Sequence, residues 1–316
     1  MTRSNGRDPD PATSGMMPWD DRDRAALVAM MRQKPKNAEW SELTERITDR
    51  GSARLLWEDE FPADLFGDDD AAIVLRRSAE DVEAWKSTPF QMHTFMDDSY
   101  PEQLRSVRRM PPLVFTQGRL TPGEIGVCVV GSRDVSAAGL SFARSVAQGL
   151  VAQELTVIAG LAKGIDTAAH QATLDAGGRT VAVLGNGLKR VYPQENRALQ
   201  AKIAQHGMLL THYLPEYSPT RWSFPARNVT MSAYGTATVI VEAGEKSGTR
   251  IQAREAVAHG RPVILNDTVV RSTDWGRRLQ NEPGVYVATS PEEAVGHVMT
   301  ILKHRLTVTK LLRSCR

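Results

Sequence analysis

Cysteine is scarce in this sequence: its 316 residues include two, Cys128 inside an apolar run and Cys315 beside the end. Two thiols cannot build a disulfide framework or a closed structural zinc site, so reduced cysteines are expected. Long apolar runs are missing as well. No stretch approaches the roughly 18 consecutive apolar residues of a membrane span. The opening MTRSNGRDPDPATSG holds no apolar segment that resembles a secretory signal. A cytoplasmic protein with no membrane partner is therefore expected. The seven histidines lie scattered without metal-ligand spacing. The dinucleotide pattern GxGxxG is absent, since Gly185-Asn186-Gly187 is followed by Leu188, Lys189 and Arg190, and no Walker A sequence occurs. A standard NAD site is disfavoured, and no metal or cofactor is expected.

What is present describes a folded chain. Apolar residues make up 41% and charged residues 24%, the balance of a globular protein rather than a disordered or fibrous one. The net charge of +2 conceals an asymmetry. Residues 1–120 carry 17 Lys/Arg against 22 Asp/Glu, residues 121–265 carry 14 against 10, and residues 266–316 carry 8 against 5. An acidic segment thus precedes a moderately basic one, which permits a polyanionic partner without requiring it.

At roughly 150 residues per domain the length suits one large domain with an appendage or two ordinary ones. Residues 1–18 are rich in Pro, Asp, Ser and Gly, which predicts a disordered tail. Residues 19–98 place apolar positions (Leu27, Val28, Met30, Leu43, Ile47, Ile73 to Leu75) in short helical turns between polar breaks, which predicts a small helical N-terminal domain. Residues 99–316 then form a second domain. After a short strand-like run, Leu113 to Phe115, apolar runs recur at Ile125–Val130, Leu155–Ala159, Thr180–Leu184, Met208–Leu210, Ala237–Val241 and Pro262–Leu265. Helical periodicity lies between most of them, at Ser136–Ala152, Ile165–Ala176, Glu195–Gln205 and Thr249–Ala258. Strands apolar throughout suit a sheet covered on both faces, so the fold class is α/β with a doubly wound, mostly parallel, Rossmann-like sheet. Gly284–Ala288 and Pro291–Leu302 extend it with a strand and a helix.

In such a sheet, ligands collect at the carboxyl ends of the strands. The segments there are Gly131-Ser132-Arg133, Gly160 to Asp166, Gly185-Asn186-Gly187 and Glu242 to Thr249. Glycine lets backbone N–H groups approach an anion and a neighbouring Arg or Lys supplies charge. One such loop is also what any tight turn needs; four on one sheet edge favour a phosphate site. Lys189, Arg190, Tyr192 and Arg197, then Arg221, Trp222, Phe224 and Arg227, interleave cations with rings, a pattern that suits single-stranded nucleic acid but is by itself a weak signal. Trp222 and Phe224 fit core positions equally well. Catalytic groupings are weaker. Asp166 and His170 share a helix face, yet an Asp there is more often a capping partner. Ser132 and Ser247 lie outside any GxSxG elbow, and Glu242 fits either a general base or a loop-binding carboxylate.

These motifs, with Tyr192-Pro193-Gln194-Glu195-Asn196, Phe224-Pro225-Ala226-Arg227-Asn228, Val239 to Ala243 and Ser247-Gly248-Thr249 in order, resemble the DNA-processing protein A family, also called Smf. The likeness covers roughly residues 99–265. It implies an extended Rossmann-like fold, no catalytic activity, single-stranded DNA in a basic pocket at the strand ends, a homodimer, and help in loading a RecA-type recombinase in recombination or natural transformation. Carried over by motif, Arg133 contacts phosphate beside the N–H groups of Gly131 and Ser132, while Gly160, Lys163 and Gly164 shape the pocket wall. Tyr192, Asn196 and Arg197 border the strand's path, Phe224, Arg227 and Asn228 lie opposite, and Ser247, Gly248 and Thr249 present donors.

Three departures stand out. Gln194 takes a place that is often basic, Val229 replaces the usual arginine, and Ile264 to Thr268 lacks the family's Pro-Gly. The first two remove charge, which implies a less cationic pocket and altered nucleic-acid affinity. The segment after Asn266 leaves little room for the winged-helix module of some members. The alternatives are a Rossmann-like domain that senses or processes a small nucleotide, and an interaction protein with a vestigial pocket.

Overall fold

A computed structural model of the chain describes residues 19–33, 40–62 and 70–314. The tail expected over residues 1–18 and Cys315 lie outside the described residues. Two compact units are present, the first built from the described residues up to Glu83 except 40–42, the second from 40–42 and from Ala84 onward.

The first unit is helical, as expected. Its helices are α1 (Asp21–Gln33), α2 (Trp40–Arg50), α3 (Ala53–Glu60) and α4 (Asp70–Trp85), the second and fourth running across the division between units. Six consecutive residues of α1, Ala25 to Met30, are buried. Ser52 caps α3 by accepting from the Leu55 N–H at 3.2 Å, and Asp23 of α1 accepts from the Ser52 hydroxyl at 2.6 Å.

The second unit opens with β1 (Phe90–Thr94), α5 (Glu102–Arg105), β2 (Leu113–Gly118), β3 (Gly126–Val130), α6 (Ala137–Ala152), β4 (Thr156–Ala159), α7 (Ile165–Asp175) and β5 (Thr180–Val183). It continues through α8 (Arg197–His206), β6 (Met208–Thr211), α9 (Ser223–Tyr234), β7 (Ala237–Ile240), α10 (Thr249–Ala258), β8 (Val263–Asn266), α11 (Asp267–Ser272), α12 (Asp274–Leu279), β9 (Val285–Ala288) and α13 (Pro291–Ser314). The nine strands form one sheet in the order β1-β2-β6-β5-β4-β3-β7-β8-β9. The seven from β6 to β9 run parallel, and at one edge β2 pairs antiparallel with β6 and β1 antiparallel with β2.

The parallel sheet is as the sequence predicts, but the division near residue 99 is not where the structure changes. Met92 pairs with Phe115 and Phe90 with Gln117, so the sheet already begins in the segment assigned to the helical domain. Phe90–Thr94 is short and mixes buried Phe90, His93 and Thr94 with exposed Gln91, a weak pattern beside the fully buried central strands.

Helices α6, α7 and α13 cover one face of the sheet. Val127, Val129, Val157, Val239 and Val241 meet Ala143, Val146, Ala147 and Leu150 of α6, the alanines of α7, and Val298 and Ile301 of α13. Each fully buried Val or Leu contributes about 1.5–3 kcal/mol. At the amino ends of the strands Glu124 is buried, accepting from Tyr234 Oη at 2.9 Å and Thr156 Oγ1 at 2.8 Å, and is ion-paired with Arg179. The opposite, carboxyl end is open. There the chain turns to one side of β3 for β4, β5 and β6, and returns to its other side for β7, β8 and β9. Such a reversal leaves a crevice between the diverging loops.

Candidate nucleic-acid interface

An open cleft of about 830 Å³ occupies that crevice. Its walls come from Gly131 to Asp134 after β3, the entry to α7, residues 219–228 leading into α9, and Gly244 to Thr249 after β7. A side cavity of about 150 Å³ shares Arg133, Ala162, Tyr192, Phe224 and Arg227 with the cleft and adds Gly160 and Lys163. Of the residues expected at the site, Gly131, Ser132, Arg133, Tyr192, Phe224, Arg227, Asn228, Ser247, Gly248 and Thr249 line the cleft. Gly160 and Lys163 line the side cavity. Gly164, Asn196 and Arg197 line neither.

The loops are held by close main-chain packing. Ser132 donates its N–H to Glu242 O at 2.8 Å and accepts at its own carbonyl from Ile165 N–H at 3.3 Å. A Cβ on Gly164, which has φ +78°, would fall 2.4 Å from Ser132 O, so only glycine lets the loops after β3 and β4 touch. Asn196 is buried and donates to Leu161 O and Thr167 Oγ1, both at 2.9 Å, bracing the loop from behind. Glu242 caps α6, accepting from Ser136 Oγ at 2.6 Å and Ser136 N–H at 3.1 Å.

Several donors expected to face an anion are spent internally. Asp166 is buried and its Oδ2 accepts from the N–H groups of Gly160 at 3.0 Å and Ala162 at 3.3 Å, so the second loop carries its own carboxylate. Ser247 Oγ accepts from Thr249 N–H at 3.2 Å, and Gly248 O accepts from Asn228 Nδ2 at 3.3 Å. The third loop is sealed: Gly187 donates to Tyr217 O at 2.9 Å, and a Cβ on it would meet Leu214 O at 2.1 Å.

Side chains instead supply the charge. Arg133, Arg221, Arg227 and Lys246 line the cleft against the carboxylates Asp134 and Asp166. Among the described residues, Arg133, Arg221 and Lys246 enter no ion pair. The Arg133 guanidinium lies 5.0 Å from the centre of the Phe224 ring, whose other neighbour is the Tyr192 ring at 5.2 Å. Arg221 lies 4.5 Å from the Trp222 ring, which is 70% exposed and so stands outside the core. Lys246 was not among the expected contacts, although a lysine flanked by Gly244 and Gly248 at a strand end was a signal for it.

Arg227 differs from the other three. It is 4% exposed, its Nη1 donates to Val183 O at 2.7 Å, and its Nε has no hydrogen-bond partner. Burial pushes its guanidinium down and the Asp166 carboxyl up, each opposed by attraction to the other. It forms the floor of the cleft. Lys163 is neutralised by Glu195 at 2.5 Å, Lys189 by Glu216 at 2.6 Å, and Arg197 donates to Gln194 Oε1 at 2.8 Å. The suspected Asp166–His170 pair is two separate structural bonds, since His170 Nδ1 meets Thr180 Oγ1 at 2.6 Å inside the core.

Comparison with known proteins bears on these features. The DNA processing protein DprA of Streptococcus pneumoniae (strain ATCC BAA-255 / R6) is 38% identical over 238 residues, 74% of this chain and 84% of that protein. An X-ray structure of DprA from Streptococcus pneumoniae matches with a TM-score of 0.68 at 31% identity, covering 87% of this chain and 95% of that one. Protein Smf of Synechocystis sp. (strain ATCC 27184 / PCC 6803 / Kazusa) is 40% identical over 173 residues, 53% of this chain. The chain spans 44% of the length of that relative. DNA processing protein A from Helicobacter pylori, whose structure describes a single-stranded DNA binding mode, shares the fold with a TM-score of 0.58 at 22% identity, covering 67% of this chain and 97% of that one. Residues 91–295, from β1 into α13 and through every wall of the cleft, match the model of DNA recombination-mediator protein A, and the chain belongs to that family.

Proposed function

We propose that this chain binds single-stranded DNA in the cleft, breaks no bond in it, and as a homodimer passes the strand to a RecA-type recombinase. The observation that carries the reading is the pairing of unneutralised cations with rings on one rim, Arg133 with Phe224 and Arg221 with the exposed Trp222. Rings stack on unpaired bases while the cations follow the phosphates; a duplex hides its base faces. The DNA-processing relatives and the single-stranded DNA mode described for the Helicobacter pylori protein support the same class of ligand.

A fluorescence anisotropy titration with a labelled single-stranded oligonucleotide at two salt concentrations, beside the duplex, tests it. Affinity should favour the single strand, fall steeply with salt, and be largely lost in Arg133→Ala. Affinity indifferent to salt and to Arg133 would exclude the reading. A mononucleotide that raises the melting temperature when an oligonucleotide does not would favour nucleotide sensing instead. Delivery is measured separately, as recombinase filament growth on oligonucleotide with and without this chain.

A further inference from the structure

A second groove, of about 400 Å³, lies between α10 and α12 and was not part of the expected site. Arg250 and Arg254 on α10 and Arg278 on α12 line it over an apolar floor that includes Trp275 and Leu279. The neighbouring carboxylates are already committed: Glu255 pairs with Arg109, Asp267 with Arg271 and Asp274 with Arg277. Glu245 accepts from the Asp274 N–H at 2.8 Å. Among the described residues Arg250, Arg254 and Arg278 enter no ion pair, and Glu282 is the one carboxylate that lines the groove. Three guanidinium groups against one carboxylate leave the groove with an excess of positive charge, which suits a polyanion.

The groove adjoins the cleft. Thr249, the first residue of α10, lines the cleft, and Arg250 follows it directly. Arg254 lies one turn further on the same face, about 7.5 Å along the axis from Thr249. The groove wall is tied to the cleft loop by Trp275 Nε1, which donates to Gly244 O at 3.2 Å. That bond occupies the indole N–H, so the ring serves as floor.

We propose that this groove is a second subsite for the nucleic-acid strand, gripping the phosphodiester backbone of the segment that leaves the cleft beside Thr249. The proposal rests on the reading of the cleft given above. It assigns the groove a charge-tracking task without base recognition, because guanidinium groups form its rim and apolar side chains its floor.

Oligonucleotides of about 6 and about 16 nucleotides separate the two subsites, since sites on single-stranded binders span about this range. In the full chain carrying Arg250→Ala, Arg254→Ala and Arg278→Ala, the short strand should bind as in the unaltered protein. The long strand should bind at least about tenfold more weakly, with a salt slope reduced by about 2, three contacts at roughly 0.7 each. Lysine at the same three positions should restore the slope. Arg133→Ala should weaken both lengths. A triple variant that binds the long strand with unchanged affinity and slope overturns the groove and leaves the cleft standing. Variants in which Arg133→Ala is silent at both lengths overturn the cleft reading and, with it, this extension.

Discussion

Arg133, in the loop after β3, holds its guanidinium 5.0 Å from the ring centre of Phe224, in the first turn of α9. A cation and a ring from distant parts of the chain thus share one surface of the cleft. Under the proposed function the two contribute differently to binding. Phe224→Leu should cost single-stranded DNA affinity about 1–3 kcal/mol while leaving its salt dependence unchanged. Arg133→Ala should lower both, with the slope falling by about 0.7. Titrations at several salt concentrations distinguish them, and equal slopes for the two variants would contradict the division of labour.

Lys163 lines the side cavity but is neutralised by Glu195, whose carboxyl the lysine's hydrogen bond holds below the usual carboxylate range. Glu195→Gln should therefore release a cation at the cavity mouth. The expected outcome is tighter binding of single-stranded DNA with a slope steeper by about 0.7. Weaker binding would show that Glu195 supports the strand's path directly.

Gly160 faces the Arg227 guanidinium so closely that a Cβ would fall 1.5 Å from Nη1. Gly160→Ala must displace a buried cation from the neighbourhood of Asp166, and should lower stability by about 3 kcal/mol or more. Urea unfolding measures this. Combined with Arg227→Met, the loss should be smaller than the sum of the two single losses, because the collision is gone. Additive losses would mean that the two residues do not meet.

Burial pushes the His170 imidazole down to about 3 and that of His212 to about 4. In the unfolded chain both take up a proton near pH 6.5. Between that value and about pH 4 the unfolded state binds more protons, so the stability these groups contribute is complete above about 6.5 and is lost as pH falls. Asp166 acts in the opposite sense above the ordinary carboxylate value, because its raised pKa favours the folded state only at lower pH. The two histidines outnumber it, and the urea midpoint should drop by an amount equivalent to several kcal/mol from pH 7 to pH 4. His212→Gln should flatten the profile, whereas an unchanged midpoint in the unaltered protein would refute the assignment.

The parallel strands were legible because each is apolar throughout, a pattern that four or five residues suffice to display. Arg133 was legible too, as the cation next to a strand-end glycine. Helix α9 was not: residues 221–227 read as a basic, aromatic segment before a strand. Yet Phe224, Arg227, Asn228 and Met231 sit at helical spacing and all line the cleft. Polar and charged residues on that face hid its amphipathic period, since the face turned inward is the one that builds the cleft. Likewise, no spacing rule separates Arg227, which is the floor, from Arg221 on the rim; burial decides it. Nor does sequence disclose that Lys163 and Glu195, 32 positions apart, cancel one another.

The reversal of strand order on either side of β3 makes the cleft a joint property of two wings that are remote in sequence. A fragment ending before Ala237 would keep Arg133 and Phe224, lose Lys246 and Arg250, and bare β3 as an unprotected sheet margin able to pair with other chains. Cutting this protein between β6 and β7 would therefore yield no smaller binder, but half a groove on an adhesive edge.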